Sequence, residues 1–167
     1  MVAETDEEGF LIESEFLFAL RKGDKHHGEA MKILDLCRRG LVKLQVLSSA
    51  VIEVKAVLYS HGVKGRQVEE VCSLMDAQLI ESGVSEYVPV TLADAVLAEV
   101  LRNQHPQLTF FDALHIAAAK NLDKPLLSND EDYPGIWMKT ISFKNFLKLS
   151  IALQSSTSRI IASCGSL

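Results

Sequence analysis

The chain has 167 residues, a formal net charge of −5 at pH 7 and a hydrophobic content of 48%. This length and composition fit one domain with a packed core. The negative charge excludes a general electrostatic attraction to nucleic acid, so any contact with nucleic acid requires a local basic patch or bound cations.

Cysteine usage and the start of the chain indicate the compartment. The three cysteines (Cys37, Cys72 and Cys164) are widely scattered and lack the spacing of a metal site, which is typical of a reducing cytosol. The opening residues, MVAETDEE, are acidic, unlike the basic start of a secretory signal. No apolar stretch approaches the roughly 20 residues that span a bilayer. We therefore expect a cytoplasmic protein that does not enter the membrane.

Short apolar runs and amphipathic segments alternate in the first half of the chain. After an acidic leader at 1–8, GFLIES is an apolar run that ends in polar residues, which predicts a buried strand. Ser48 or Ser49 is expected to cap the helix that follows the second strand. The predicted elements are strands at 9–14 and 42–48 and helices at 15–23, 26–40, 50–62 and 65–83.

The second half continues this alternation. Pro89 in the third strand indicates an edge strand or a strand end, and Thr91 is expected to cap the next helix. Strands that alternate with helices predict an α/β fold, a three-layer α/β/α sandwich with a mostly parallel, about five-stranded sheet. We assign residues 9–147 to this domain and 148–167 to a C-terminal extension. The predicted elements are strands at 85–90, 124–129 and 136–142 and helices at 92–105, 110–122 and 143–150.

Several acids follow the predicted strands. In an open α/β sheet, ligands bind beyond the carboxyl ends of the strands. Glu13 follows the first strand, and Asp130 and Asp132 follow the fourth. Glu53 lies in the first turns of the helix after the second strand, and Asp112 opens an alanine-rich helix. Each acid alone has a simple explanation, such as the roughly 0.3–1 kcal/mol by which a helix dipole stabilises an acid at its N-terminus.

Together, these acids predict a metal site. Carboxylates that converge raise each other's pKa unless a cation compensates their charge, and Mg²⁺ and Mn²⁺ prefer oxygen ligands. Mg²⁺ keeps several waters, one of which can become a nucleophile, and the ion also neutralises charge on a phosphodiester. An acid-rich site without a histidine–cysteine cage therefore favours phosphodiester hydrolysis.

The chain resembles the PIN-domain family of metal-dependent ribonucleases over residues 9–147. The resemblance rests on FLIESEFLFALRKGDKHHGEA, LSSAVIEV, LTFFDALHIAAAK and LLSNDEDY. PIN domains place four acids around one or two Mg²⁺ or Mn²⁺ ions. The catalytic metal ligands that the resemblance implies are Glu13, Glu53, Asp112 and Asp130, with Asp132 as a further ligand. The polar neighbours expected to support these ligands are Ser14, Ser128 and Asn129.

The first acid departs from the family pattern, which has an aspartate followed by a small polar residue and then Asn or Ser. Glu13 is one methylene longer, so its oxygens reach roughly 1.5 Å further. Mg²⁺ requires near-ideal octahedral geometry at about 2.0–2.1 Å. Glu15 adds a negative charge where a neutral group is usual. Activity is therefore expected to be weakened, to prefer the more permissive Mn²⁺, or to be absent.

The small size and a short helical clip between the second and third strands resemble the toxin member of a toxin–antitoxin pair. This resemblance implies an RNA substrate, a homodimer and a small antitoxin whose tail inserts near the acids. His26 and His27 fall where toxin-type members often carry a similar pair, although surface or cap histidines are the simpler interpretation. The basic side chains that either approach an RNA backbone or form a solvated helix face are Lys22, Lys25, Arg38 and Arg39.

Two other functions remain open. One is a catalytically weakened or inactive PIN fold that acts as a binding module, which the glutamate at position 13 and the negative net charge favour. The other is a phosphoacceptor domain of the response-regulator type. Such a domain needs a lysine at a late strand end, whereas Lys124 precedes its predicted strand, which disfavours this function.

Overall fold

The structure, a computed structural model, describes residues 9–152. The predicted acidic leader and the serine-rich end from residue 153 onward lie outside the described residues. The strands are β1 Phe10–Ile12, β2 Leu44–Leu47, β3 Glu86–Val88, β4 Leu126–Leu127 and β5 Thr140–Ile141. The helices are α1 Ser14–Ala19, α2 His27–Arg38, α3 Ser48–Ser60, α4 Arg66–Glu81, α5 Leu92–Gln104, α6 Phe110–Asn121, α7 Tyr133–Ile136 and α8 at 143–152.

The five strands form one parallel sheet in the order β3-β2-β1-β4-β5. In the central strand, Ile12 pairs with Val46 of β2 on one side and with Leu127 of β4 on the other. The predicted α/β sandwich with a five-stranded parallel sheet is confirmed. The chain runs outward from β1 to β3 and then crosses back to β4, so the strand order reverses between β1 and β4. This reversal is the place where open α/β sheets bind ligands.

The core lies on both faces of the central strands. Leu11, Val46 and Leu126 have no solvent exposure because helices cover them from both sides. Helix α6 presents small residues, including Ala113 and Ala117, which are also fully buried. Small side chains let α6 approach α3 and α5 closely, and this packing fixes the position of the acid at the start of α6.

The predictions for the ends of two elements are confirmed. Thr91 caps α5 with a capping box, in which its hydroxyl accepts the amide of Asp94 and the Asp94 carboxylate accepts the amide of Thr91. Strand β3 lies at an edge of the sheet, and Pro89 follows its last residue, so the missing proline amide removes no ladder bond.

Other element boundaries differ from the sequence-based expectation. The predicted serine cap of α3 is wrong, because the helix begins at Ser48 itself and β2 continues into it through Leu47. The strand predicted at 124–129 is limited to Leu126–Leu127. Directly after it, the Ser128 hydroxyl accepts a hydrogen bond from the Asp130 amide, which forms a turn. No helix described between residues 9 and 152 is long and apolar enough to cross a membrane.

Candidate metal centre

Glu13 lies at the point where β1 ends and α1 begins. It is the N-cap of α1, and its Oε2 accepts a hydrogen bond of 2.7 Å from the amide of Glu15. This bond turns the side chain back over the carboxyl edge of the sheet, where only 3% of the residue is exposed. The second oxygen, Oε1, is buried and has no hydrogen-bond partner among residues 9–152. Glu13 therefore presents an unsatisfied carboxylate oxygen inside the protein.

Ser14 joins Glu13 to the acid on the neighbouring helix. Its hydroxyl oxygen lies 3.0 Å from Glu13 Oε2 and 2.5 Å from Glu53 Oε2, so the single hydroxyl proton is shared between two acceptors. Glu53 comes from the second turn of α3, where the carboxylate is mostly buried. The structure thus brings together two of the predicted metal ligands and the predicted supporting serine.

His115 on α6 completes this group. It is fully buried, with Nδ1 4.0 Å from Glu13 Oε2 and Nε2 3.7 Å from Glu53 Oε2. Both distances are too long for hydrogen bonds, and neither ring nitrogen has a partner within the described part of the chain. One ligand atom from each of the three residues lies within 4.8 Å of the others, a separation that one metal ion can bridge.

Asp112 is held in a fixed orientation at the start of α6. Its Oδ2 accepts the amide of Thr109 at 2.9 Å, and the Thr109 hydroxyl accepts the amide of Asp112 in return. Its Oδ1 accepts a hydrogen bond of 2.8 Å from the hydroxyl of Tyr133, a buried residue at the start of α7. Burial is the main cause of the raised pKa values of Glu53 and Asp130, and the negative charge of Asp112 adds to both.

The acids after β4 lie at the exposed rim of the group. Asp130 accepts the amide of Asp132 at 2.8 Å, and the Asp130 amide donates to Ser128 Oγ. Glu15 reaches across from α1, where its Oε2 accepts the amide of Asn129 at 2.8 Å. The carboxylate of Glu15 is therefore used to hold the end of β4 and is not simply an added charge in the site.

Burial and mutual repulsion destabilise the charged forms of these acids. Burial, with the charges of Glu15 and Glu53, raises the pKa of Glu13 to about 8. Burial is also the main cause of the raised pKa values of Glu53 and Asp130. The pKa of His115 falls to about 4 because burial disfavours the imidazolium, so its ring is neutral at pH 7.

These residues fit a divalent cation. Glu13 Oε1 and both nitrogens of His115 are buried ligand atoms without hydrogen-bond partners in residues 9–152. The nearby carboxylates repel one another in a poorly solvated place, and a bound cation would relieve both the repulsion and the desolvation. The fit is therefore one of charge as well as of ligand atoms.

The two predicted neighbouring histidines have structural contacts. His26 Nδ1 lies 3.0 Å from Glu29 Oε2 on α2, and His27 Nδ1 lies 3.0 Å from the Ala19 carbonyl at the end of α1. The predicted basic residues are exposed, and Arg38 at the end of α2 and Arg39 directly after it pair with Asp35. The histidine contacts agree with a capping role, and the arginine pairs agree with a solvated helix face.

Two residues of the centre were missed by the sequence analysis. His115 follows Asp112 by three positions, so both lie on one face of α6, and this spacing is a usable signal. A histidine among alanines and leucines nevertheless suggests core packing when it is considered alone. Tyr133 follows the acidic turn directly, but nothing in the sequence indicates that its hydroxyl reaches Asp112 on another helix.

Comparison with known proteins agrees with the fold. A protein from Pyrobaculum aerophilum, PAE2754, superimposes with a TM-score of 0.60 at 18% identity, over 86% of this chain and 90% of that chain. The structure of VapBC2 from Rickettsia felis, solved with a DNA fragment from its promoter, gives a TM-score of 0.59 at 15% identity, over 80% of this chain and 96% of that chain. A toxin–antitoxin complex from Klebsiella pneumoniae gives a TM-score of 0.55 at 14% identity, over 81% of this chain and 98% of that chain.

At these identities, the likeness to solved structures shows the fold alone. Curated protein sequences gave no match. The PIN domain family, by contrast, matches residues 10–136, which is most of the chain and includes each acid predicted to bind metal. The protein therefore belongs to the PIN domain family.

Proposed function

We propose that this protein is a metal-dependent ribonuclease that hydrolyses RNA phosphodiester bonds. The observation that carries the proposal is the position of two glutamates, the buried Glu13 and the partly buried Glu53, at the carboxyl edge of a PIN-domain sheet. They share the hydroxyl of Ser14 and leave a buried carboxylate oxygen without a hydrogen-bond partner in residues 9–152. Buried carboxylates in such a position are stable as anions only with a compensating cation.

The acids have distinct roles in this proposal. Glu13 and Glu53 would hold Mg²⁺ or Mn²⁺ from the buried side, and Asp112 and Asp130, supplemented by Asp132, would complete its ligands. A bound ion would lower the pKa of a water and neutralise the charge of the phosphodiester. Asp112, fixed by its capping box and by a tyrosine hydroxyl, would orient the attacking water in line with the phosphorus.

We further propose a toxin-type role in the cytoplasm. One of the similar structures is a toxin–antitoxin complex, and the similar chains match this one over nearly their full length. The partners proposed are a small antitoxin that covers the acids and a second copy of this chain. A short antitoxin-like reading frame next to the gene would support this role, and its absence would favour an RNA-processing role for the same chemistry.

A binding module without catalysis is the second candidate. Two observations favour it: the pKa of Glu13 is about 8, so the side chain is largely protonated at pH 7 without an ion, and Glu15 uses its carboxylate in a structural hydrogen bond. A PIN domain with such a first acid could keep the fold and bind a partner without cleaving RNA.

A cleavage assay separates the two candidates. A short end-labelled RNA is incubated with the protein and Mn²⁺ or Mg²⁺, with and without chelator. The ribonuclease is expected to cleave only with metal, and Asp112→Asn is expected to abolish cleavage. Asp35→Asn on α2, an exposed acid outside the centre, is the matched control and should cleave like the wild type.

The assay also defines the contrary result. Cleavage that survives the chelator or the Asp112→Asn substitution would point to a contaminating nuclease and remove support for the enzyme. No cleavage across RNAs of varied sequence, together with no heat of binding on titration with Mn²⁺, would favour the binding module.

A further inference from the structure

Packing alone does not explain why a histidine occupies position 115. The side chain is fully buried in α6, and neither ring nitrogen has a hydrogen-bond partner in residues 9–152. A buried polar group without a partner destabilises the fold, so a histidine in this position requires another reason. Both nitrogens lie within 4.0 Å of a glutamate oxygen, Nδ1 near Glu13 and Nε2 near Glu53.

The spacing leaves room for an ion between the three residues. Two ligands bound at about 2.1 Å to one octahedral ion lie about 3.0–4.2 Å apart, depending on whether they are neighbours or opposite. The separation of 3.7 Å between Nε2 and a Glu53 oxygen lies between these two values, and one ligand atom from each of the three residues lies within 4.8 Å of the others, so small side-chain adjustments would let one ion bind all three. One ring nitrogen can bind the ion while the other, which then carries the proton, faces the remaining glutamate.

We propose that His115 is a nitrogen ligand of the ion held by Glu13 and Glu53, and that it makes this centre select a first-row transition metal such as Mn²⁺ or Co²⁺ over Mg²⁺. Mg²⁺ is bound almost only by oxygen ligands, whereas first-row transition ions also accept an imidazole nitrogen, Co²⁺ more strongly than Mn²⁺. This inference rests on the proposed function, because it concerns the same ion. It adds a ligand outside the predicted set of acids and assigns the choice of metal to that ligand.

The first test needs no variant. The full chain is loaded with Mn²⁺, and the electron spin echo is examined for modulation by a ¹⁴N nucleus. A histidine ligand predicts ¹⁴N modulation of the imidazole type. Its absence from a protein that binds Mn²⁺ would overturn the nitrogen ligand. This readout does not depend on RNA cleavage.

The second test compares metal preference. Binding of Mn²⁺, Co²⁺ and Mg²⁺ to the wild type and to His115→Leu is measured by calorimetry. Loss of a group that only supports a ligand typically lowers metal affinity by about 10–100-fold, so loss of a direct ligand should lower Mn²⁺ affinity at least about tenfold. Affinity for Mg²⁺ should change much less, and the ¹⁴N modulation should disappear. His61→Leu, at an exposed histidine after α3, is the matched control and should keep both the wild-type Mn²⁺ affinity and the ¹⁴N modulation.

The outcomes distinguish this inference from the proposed function. If Mn²⁺ binds, requires Glu13 and Glu53, and shows no nitrogen coupling and no preference over Mg²⁺, the role of His115 is refuted while the ribonuclease proposal stands. If neither Mn²⁺ nor Mg²⁺ binds to the wild type, both proposals fail. If Mn²⁺ binding and ¹⁴N modulation are lost in His115→Leu and kept in His61→Leu, the assignment is supported.

Discussion

At the scale of single residues, the centre consists of groups that are unfavourable in isolation. Glu13 is buried with one oxygen unpaired, and His115 is buried with two unpaired nitrogens, counted within residues 9–152. Unpaired buried groups of this kind are retained where a bound ligand satisfies them, because a packed apolar residue would stabilise the metal-free fold more. Function and stability are therefore expected to oppose each other at these two positions.

His115→Leu is expected to stabilise the metal-free protein. Leucine fills a similar space without leaving polar atoms unpaired, so the free energy of unfolding should rise by about 1–3 kcal/mol. Urea unfolding in the presence of chelator measures this change. Most substitutions of core residues lower the free energy of unfolding, so an increase would be unusual. A decrease in His115→Leu would contradict the expectation and would indicate that a water is hydrogen-bonded to the ring in solution.

The stability of the metal-free protein is expected to fall as the pH rises from about 6.5 to about 8. In this range the folded protein keeps a proton on Glu13, whose pKa is about 8, while the unfolded chain has released it. One such group lowers stability by up to about 1.4 kcal/mol per pH unit. Below about pH 6.5, His115 acts in the opposite direction, because its pKa of about 4 means that the unfolded chain binds a proton that the folded protein excludes.

Unfolding by urea at several pH values, with chelator, measures this dependence. Glu13→Gln should flatten the curve between about pH 6.5 and 8, since glutamine does not titrate. Glu99→Gln, at an exposed acid on α5, should leave the curve unchanged. A wild-type protein that grows more stable toward pH 8 would contradict the assignment of the proton to Glu13.

At the scale of elements, helix starts position the acids. The same capping box occurs at α5, where Thr91 pairs with Asp94, and at α6, where Thr109 pairs with Asp112. In α5 the aspartate is buried and accepts a hydrogen bond from the side-chain amide of Asn121, whereas in α6 the free oxygen of Asp112 accepts the hydroxyl of Tyr133. One local motif thus serves stability in one helix and holds a candidate ligand in the next.

This duplication gives a matched pair of substitutions. Thr109→Ala and Thr91→Ala should each lower the free energy of unfolding by about 1 kcal/mol, since each removes one helix cap. Only Thr109→Ala should also slow RNA cleavage, because Asp112 loses one of its fixed contacts. The two variants are compared by urea unfolding and by initial cleavage rates. Equal cleavage by both variants would show that the cap does not position Asp112 for the reaction.

The order of the elements could be predicted from the sequence because apolar runs and helix caps are local signals. The positions of Glu13 and Glu53 relative to their strands follow from the same signals. The role of His115 could not, because it depends on where α6 packs against α1 and α3, and this packing is not encoded in any local pattern. The serine cap of α3 was wrong for a related reason: β2 continues into the helix without a loop in which a cap could form.

At the scale of the whole molecule, a net charge of −5 is combined with a concentration of acids at one edge of the sheet. A cation that binds the folded chain and not the unfolded one stabilises the fold in proportion to the logarithm of its concentration. The metal is therefore expected to contribute to folding as well as to catalysis.

Mn²⁺ is expected to raise the melting temperature of the wild type. At a free concentration about 100 times the dissociation constant, binding adds about 2.7 kcal/mol to the free energy of unfolding. Differential scanning calorimetry with Mn²⁺ or with chelator measures the shift. Glu53→Gln should abolish it, and Glu70→Gln, at an exposed acid on α4, should not. An equal shift in both variants would mean that Mn²⁺ binds elsewhere on the acidic surface.

The hydrogen bond from the Asn129 amide to Glu15 adds a side-chain link to the backbone ladder that joins β1 and β4. Glu15 lies on the segment that leaves toward β2 and β3, and Asn129 lies on the segment that leads to β5. A movement of the β1 segment relative to the β4 segment would therefore break this bond as well as the ladder. Glu15 lies two residues from Glu13, and Asn129 directly precedes Asp130, so this bond ties together the two chain segments that carry candidate ligands at the carboxyl edge of the sheet.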